Sequence, residues 1–260
     1  MTLDTFGIFI AAGAAIGFCM GCTGIGGGSL MMPVLLSMGI PSQVAVGTDL
    51  LYASITKCSA VVSHQRQRNI NWKTVAFLLL GSIPASLVTL FVLRHLQTAG
   101  DINDALITRS LVALLILTAI TLIFRSRLYR WAKSHGSFLL RHAVLLSVLT
   151  GVFLGICVTL SSVGAGVIGT ALLMLIYAQY PSRHIVGTDI AHAVPLTFIA
   201  GSGHMFMGGI DWYLLLALLL GSVPAVYFGA SMSRRMPDKL LRSVLTVILL
   251  GMGIHYLWPA

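Results

Sequence analysis

The 260-residue sequence predicts an all-α polytopic membrane protein built from two inverted repeats, each a broken-helix hairpin plus three transmembrane helices. Three observations carry that prediction. The chain is 57% hydrophobic and only 9% charged, with a mean hydropathy of +0.94, whereas a soluble domain carries roughly 25% charged residues. Residues 41–49, PSQVAVGTD, return at 181–189 as PSRHIVGTD, and the register runs on to match His64 with His204, Asn71-Trp72 with Asp211-Trp212, and Gly81-Ser82-Ile83-Pro84 with Gly221-Ser222-Val223-Pro224. Upstream, Gly24 and Gly26 match Gly164 and Gly166 at the same spacing. Finally, basic residues exchange places between equivalent loops.

The elements follow in order. Thr5 to Gly39 is too long for one ordinary span of about 20 residues. The run Gly21-Cys22-Thr23-Gly24-Ile25-Gly26-Gly27-Gly28 interrupts it, giving a near-full helix to about Gly21 and a half-helix from Ser29 to Met38. Pro41 and Ser42 open a span ending near Ser63, and further spans run Thr74 to Leu93 and Leu106 to Phe124. A basic linker, Arg125 to Arg141, divides a first repeat (1–124) from a second (142–260). The second repeat offers a span from Ala143 to Leu160, a break at 161–166, a half-helix from Val167 to Ala178, and spans Pro181–Gly203, Tyr213–Met232 and Leu240–Trp258.

Orientation comes from the positive-inside rule. Loop 65–73 holds Arg66, Arg68 and Lys73, whereas its counterpart 205–213 holds no Lys or Arg. Loop 94–109 holds Arg94 and Arg109; its counterpart 233–242 holds Arg234, Arg235, Lys239 and Arg242. Inverted halves place 13 basic residues on one side and 2 on the other, counting the linker and Arg183; parallel halves split them 8 to 7, which orients nothing. The expectation is a multi-pass protein of the cell inner membrane with both termini outside. Met1 to Cys22 carries Asp4 and no basic n-region, so it reads as a retained segment rather than a cleaved leader. The formal charge of +9 belongs to these orienting loops. Without aromatic interleaving or a nucleic-acid motif, it does not indicate a nucleic-acid partner.

Little mass lies outside the bilayer, so any site lies between helices. A helix breaks at membrane depth only where protein or a wet cavity satisfies the freed backbone. The half-helix that follows presents free N–H groups and a positive dipole end, a ready anion site. Thr23, Gly24, Gly26, Gly27, Gly28 and Ser29 form this cradle in one half, and Ser161, Ser162, Gly164 and Gly166 in the other, with Thr48 and Thr188 behind. The alternative is that the glycines serve close helix packing.

Asp49 and Asp189 stand in Val-Gly-Thr-Asp in each half. Asp49 lies roughly 11 Å past Ser42 at 1.5 Å per residue, and an intramembrane carboxylate is a functional candidate. Three roles stay open: proton carrier, ligand of a coupling cation, or acceptor that locks the glycine-rich loop. Lys57 follows Asp49 by two turns and has Thr197 as counterpart; it either meets an anion or snorkels to the interface. His192, one turn past Asp189, is a candidate relay partner for it. No His, Cys and Asp cluster has metal-site spacing, and no cofactor is implied. Cys19-Met20-Gly21-Cys22 leaves a second class of function open, a membrane-embedded assembly or thiol redox-relay protein.

Gly24-Ile25-Gly26-Gly27-Gly28, Pro33, Gly47-Thr48-Asp49-Leu50 and Ile55-Thr56-Lys57 together resemble the TauE/SafE family of membrane permeases, often called sulfite exporters. The resemblance spans nearly the whole chain, with Val167-Ile168 replacing two glycines in the second half. It implies transport of small sulfur-containing anions such as sulfite or organosulfonates. The combined expectation is a secondary transporter, not an enzyme, whose partners are a small anionic substrate (a sulfur oxyanion or sulfonate) and the lipid bilayer. Association into a homo-oligomer stays open.

Overall fold

The computed structural model describes residues 3–23, 28–98, 104–134 and 136–233, with the isolated positions 247 and 251. These residues form α1 (Leu3–Thr23), α2 (Gly28–Ser37), α3 (Ser42–Arg66), α4 (Trp72–Thr98), α5 (Asp104–Ser134), α6 (Gly136–Arg141), α7 (Ala143–Ser161), α8 (Val167–Ile176), α9 (Ser182–Phe206) and α10 (Trp212–Ser233). The chain is an all-α, multi-spanning membrane protein. Four described helices are long and apolar enough to cross a bilayer: α4, α7, α9 and, over Trp212–Gly229, α10. Apart from the isolated positions Val247 and Gly251, the expected span Leu240–Trp258 lies outside the described residues.

The repeat is visible in how helices start and stop. Pro41 and Pro181 stand before α3 and α9 with φ of −52° and −58°. Their fixed φ and extended ψ set the chain up for the helix that follows. At the other ends, Asn69 N–H returns to the His64 carbonyl and Gly209 N–H to the His204 carbonyl, both at 2.9 Å. The residue between is left-handed in each case, Arg68 at φ 56° and Gly208 at φ 75°, as a helix-terminating turn requires.

Packing exchanges helices between the halves. α1 packs most extensively on α10, α4 on α7, and α3 on α9. Small residues permit the first two contacts. A Cβ at Gly17 would lie 2.7 Å from Ser222 Cα, and one at Gly155 would lie 2.9 Å from Ser82 Cα. Without a hydrophobic drive between helices in lipid, such close backbone approach supplies the packing. The outward faces of α4 and α10 are apolar: Leu80, Phe91 and Phe228 are 66%, 73% and 71% exposed. By contrast, α3 buries Ser42, Thr48, Asp49, Ser54, Thr56 and Lys57. It is not among the helices apolar enough to span by composition, because its neighbours rather than lipid surround it.

Two features were not anticipated from the sequence. Within the basic linker 125–141, α5 continues to Ser134 and α6 spans Gly136–Arg141. The repeat spacing also changes at the breaks. Gly13 and Gly17 meet Leu218 and Ser222, while Gly151 and Gly155 meet Leu78 and Ser82. The first helices therefore correspond at an offset of 138, whereas α3/α9 and α4/α10 keep 140. The two additional residues of the second half fall between Gly155 and Gly187.

Candidate functional site

α3 and α9 lie at the centre, the start of each against the end of the other. A Cβ at Gly47 would strike the Gly209 carbonyl, and one at Gly187 would lie 2.6 Å from the Asn69 carbonyl. Thr48 and Thr188 fix this arrangement. Thr48 Oγ1 accepts the Asp211 N–H at 3.2 Å, and Thr188 Oγ1 accepts the Asn71 N–H at 3.0 Å. Both threonines thus engage the N-terminus of the next helix of the opposite repeat.

One turn further, both carboxylates are fully buried, but their partners differ. Asp189 Oδ2 accepts from Thr170 Oγ1 at 2.8 Å, in the first turn of α8, where free N–H groups and the dipole favour negative charge. Gly169 lets the carboxylate in, since a Cβ there would collide with Asp189 Oδ1. Thr170 was not singled out from the sequence; its 140-offset counterpart, Leu30, has no hydroxyl. Among the described residues, neither oxygen of Asp49 has a hydrogen-bond partner. The Ser162 hydroxyl lies beside it, itself buried and without a partner.

Lys57 joins the halves. It does not run out to the interface: it is 3% exposed, and Nζ donates to the Ala165 carbonyl at 3.4 Å. Its ammonium sits within the electrostatic reach of both Asp189 and Asp49. His192 makes a different contact from the one its spacing suggests. Nε2 pairs with Ser82 Oγ at 2.9 Å, on α4, rather than with Asp189. The counterparts of that pair are Tyr52 and Ser222; Tyr52 Oη donates to Met20 Sδ at 3.5 Å.

The second break is ordered by its own turns. Ser162 is left-handed at φ 59° and caps α7. Gly164 and Gly166, at φ 117° and 124°, hold conformations that side chains rarely adopt. Ser161 Oγ donates to the Cys157 carbonyl at 2.9 Å and accepts the Val163 N–H at 3.2 Å. In the first break, Thr23 ends α1 while Gly28 and Ser29 open α2. Gly24, Gly26 and Gly27 lie outside the described residues.

A cavity of about 320 Å³ runs from exposed Ser59 and Ser63 inward to Lys57, with Gly21, His64 and Val226 on its walls. Lys57 is the charged residue on its wall. Cys19 packs against the apolar core, and the described residues include no cluster of three His, Cys, Asp or Glu that could hold a metal ion.

Known proteins match along the whole chain. The family described as "Sulfite exporter TauE/SafE" matches residues 9–256. "Probable membrane transporter protein YjnA" of Bacillus subtilis (strain 168) is 37% identical over 247 residues, covering 94% of this chain and 97% of its own. YdhB of the same organism, of the same description, is 29% identical over 238 residues, 88% of this chain and 91% of its own. "Probable membrane transporter protein MJ0441" of Methanocaldococcus jannaschii is 28% identical over 267 residues, 96% and 94% of the two chains. No solved structure matches.

Proposed function

The chain belongs to the sulfite exporter TauE/SafE family of membrane transporters, and from that premise we propose that it is a secondary permease for small sulfur-containing anions such as sulfite or organosulfonates. It is a transporter and not an enzyme. The observation that supports the anion reading best is Lys57, a buried ammonium at the inner end of a cavity, donating to the break that opens α8. Binding an anion there uses a full positive charge and the unpaired N–H groups of a helix start together. The break residues Ser161, Ser162, Gly164 and Gly166 contribute backbone and hydroxyl groups, and the sequence of the first half offers Thr23 to Ser29 for the same role.

Inverted halves are supported by the antiparallel contact of α3 with α9, which are equivalent helices. Ser54 Oγ even reaches the Val194 carbonyl, its own counterpart position, at 3.4 Å. Arg66, Arg68, Lys73 and Arg183 are all exposed at one end, which fits a basic cytoplasmic face in the inner membrane. Alternating access then follows from movement of one repeat against the other around a central site. No ATP-binding motif occurs in the sequence, so a gradient drives transport. Asp49 or Asp189 carries the coupling proton, which keeps two carboxylates and an anion from sharing one site uncompensated.

The test is counterflow in proteoliposomes loaded with sulfite, sulfoacetate, sulfate or acetate. Saturable exchange of a sulfur anion that is lost in Lys57→Ala supports the reading. Exchange of none of these, by protein that is folded and correctly inserted, overturns it.

A further inference from the structure

Among the described residues, five positions that line this cavity have fully buried repeat counterparts. Gly21, Lys57, Ala60, His64 and Val226 line it. At the offsets given above their counterparts are Thr159, Thr197, Ala200, His204 and Ser86. All five are at most 1% exposed. There the space is closed by packing and by a polar cluster joining three helices: Ser86 Oγ of α4 pairs with Thr159 Oγ1 of α7 at 2.7 Å, and His204 Nε2 of α9 donates to the Thr159 carbonyl at 2.9 Å.

We infer that Ser86, Thr159 and His204 form a latch that seals the permeation route on the face opposite the basic one. The inference rests on the permease reading. The latch must part for the route to open on that face, while the walls around Lys57 close. Thr159 is two residues before Ser161, so the helix it holds is the one that leads into the Ala165 break and the Lys57 contact. The latch therefore connects one gate to the central site through a single turn of α7.

The basic-side gate has no equivalent. Its corresponding residues are Val226, Gly21 and His64, and neither Val226 nor Gly21 has a hydroxyl. His64 is half-buried, and its Nδ1 has no partner. Two hydrogen bonds hold one gate shut, and among the described residues no counterpart pair is available to the other. The resting protein accordingly favours the state open on the basic side, and release of the latch is the step that substrate must promote. A buried hydroxyl and imidazole left unpaired in the open state must find water there, which a wet route supplies.

The experiment is cysteine accessibility in sealed vesicles of defined orientation. Cys19, Cys22, Cys58 and Cys157 are first replaced, and a membrane-impermeant thiol reagent is applied from each side. Ala60→Cys should label from the basic side and Ala200→Cys should be protected. Adding His204→Ala or Thr159→Val should raise Ala200→Cys labelling from the opposite side by roughly three- to tenfold, the shift expected for one ordinary hydrogen bond. His204→Gln, which keeps a donor, should restore protection. Gly21→Thr with Val226→Ser supplies the missing hydroxyls beside His64 and should protect Ala60→Cys. Unchanged Ala200→Cys protection in latch variants that elute as folded protein overturns the latch, as does labelling of Ala200→Cys in the parent. No substrate is needed, so absence of anion exchange with intact accessibility shifts rejects the permease reading and leaves the gate geometry standing.

Discussion

Lys57 of the first repeat donates to the carbonyl of Ala165 in the break of the second, 3.4 Å away. This contact spans 108 positions in sequence and brings a charge from a helix interior to an interrupted backbone. It ties the two halves at the point where the cavity ends. Asp49 and Asp189 are also fully buried, one on each repeat.

Removing that ammonium leaves Asp49 and Asp189 buried without their cation. Lys57→Met should lower stability by about 1–3 kcal/mol, the cost of leaving the Ala165 carbonyl buried without its donor. Adding Asp49→Asn should recover much of the loss, because the surviving charge is reduced. Thermal unfolding in detergent of the two single variants and the double variant reads the coupling. Additive losses would separate Lys57 from Asp49. Transport should not return in the double variant.

Thr48 and Thr188 each give an acceptor to a backbone N–H of the other repeat. Thr48→Val and Thr188→Val should each cost about 1 kcal/mol. The combined variant should lose the sum, since the sites lie at opposite ends of α3 and α9 and share no partner. Anion exchange should survive both. A large loss of exchange with unchanged melting temperature would assign these hydroxyls to the substrate.

Gly17 and Gly155 mark the same contact in the two halves. Gly17→Ala places a methyl against the backbone of Ser222, and Gly155→Ala does so against Ser82. Each should cost about 1–3 kcal/mol, as overpacking does. Gly7→Ala, with nothing within 4 Å of the added Cβ, should be neutral or slightly stabilising, because alanine suits a helix better than glycine. Melting temperatures in one detergent decide it.

Reporter fusions test the membrane orientation. A reporter joined near Asn69 should lie inside the cell and one near Gly209 outside. The two positions are repeat counterparts, so finding both on one side would reject inverted halves.

The repeat, the second break, and the helix-interior positions of Asp49, Asp189 and Lys57 were legible because each is a local pattern with fixed spacing. Pro41 and Pro181 start helices wherever they stand in such a run, and a glycine cluster interrupts one. The partners were not legible. Thr170 reaches Asp189, and Ser82 reaches His192, across helices whose relative placement no local pattern encodes. The spacing of His192 from Asp189 along α9 suggested a pair, yet Ser82 on α4 takes the imidazole. The two-residue change of register was hidden because α1 and α7 are apolar throughout, and only the contacts of Gly17 and Gly155 reveal it. The extension of α5 was masked by charge: Arg125, Arg127, Arg130 and Lys133 read as a linker, although arginine and lysine are good helix formers.

The central claim is that a sulfur anion binds at Lys57. The measurement is thermal stability of purified protein with sulfite, sulfate, thiosulfate, small sulfonates, acetate and chloride, in the wild type and in Lys57→Gln. A ligand at 100 times its dissociation constant stabilises by about 2.7 kcal/mol. The account predicts selective stabilisation by a sulfur anion that disappears in Lys57→Gln. Equal stabilisation of both proteins, or stabilisation of neither by any anion, would contradict it.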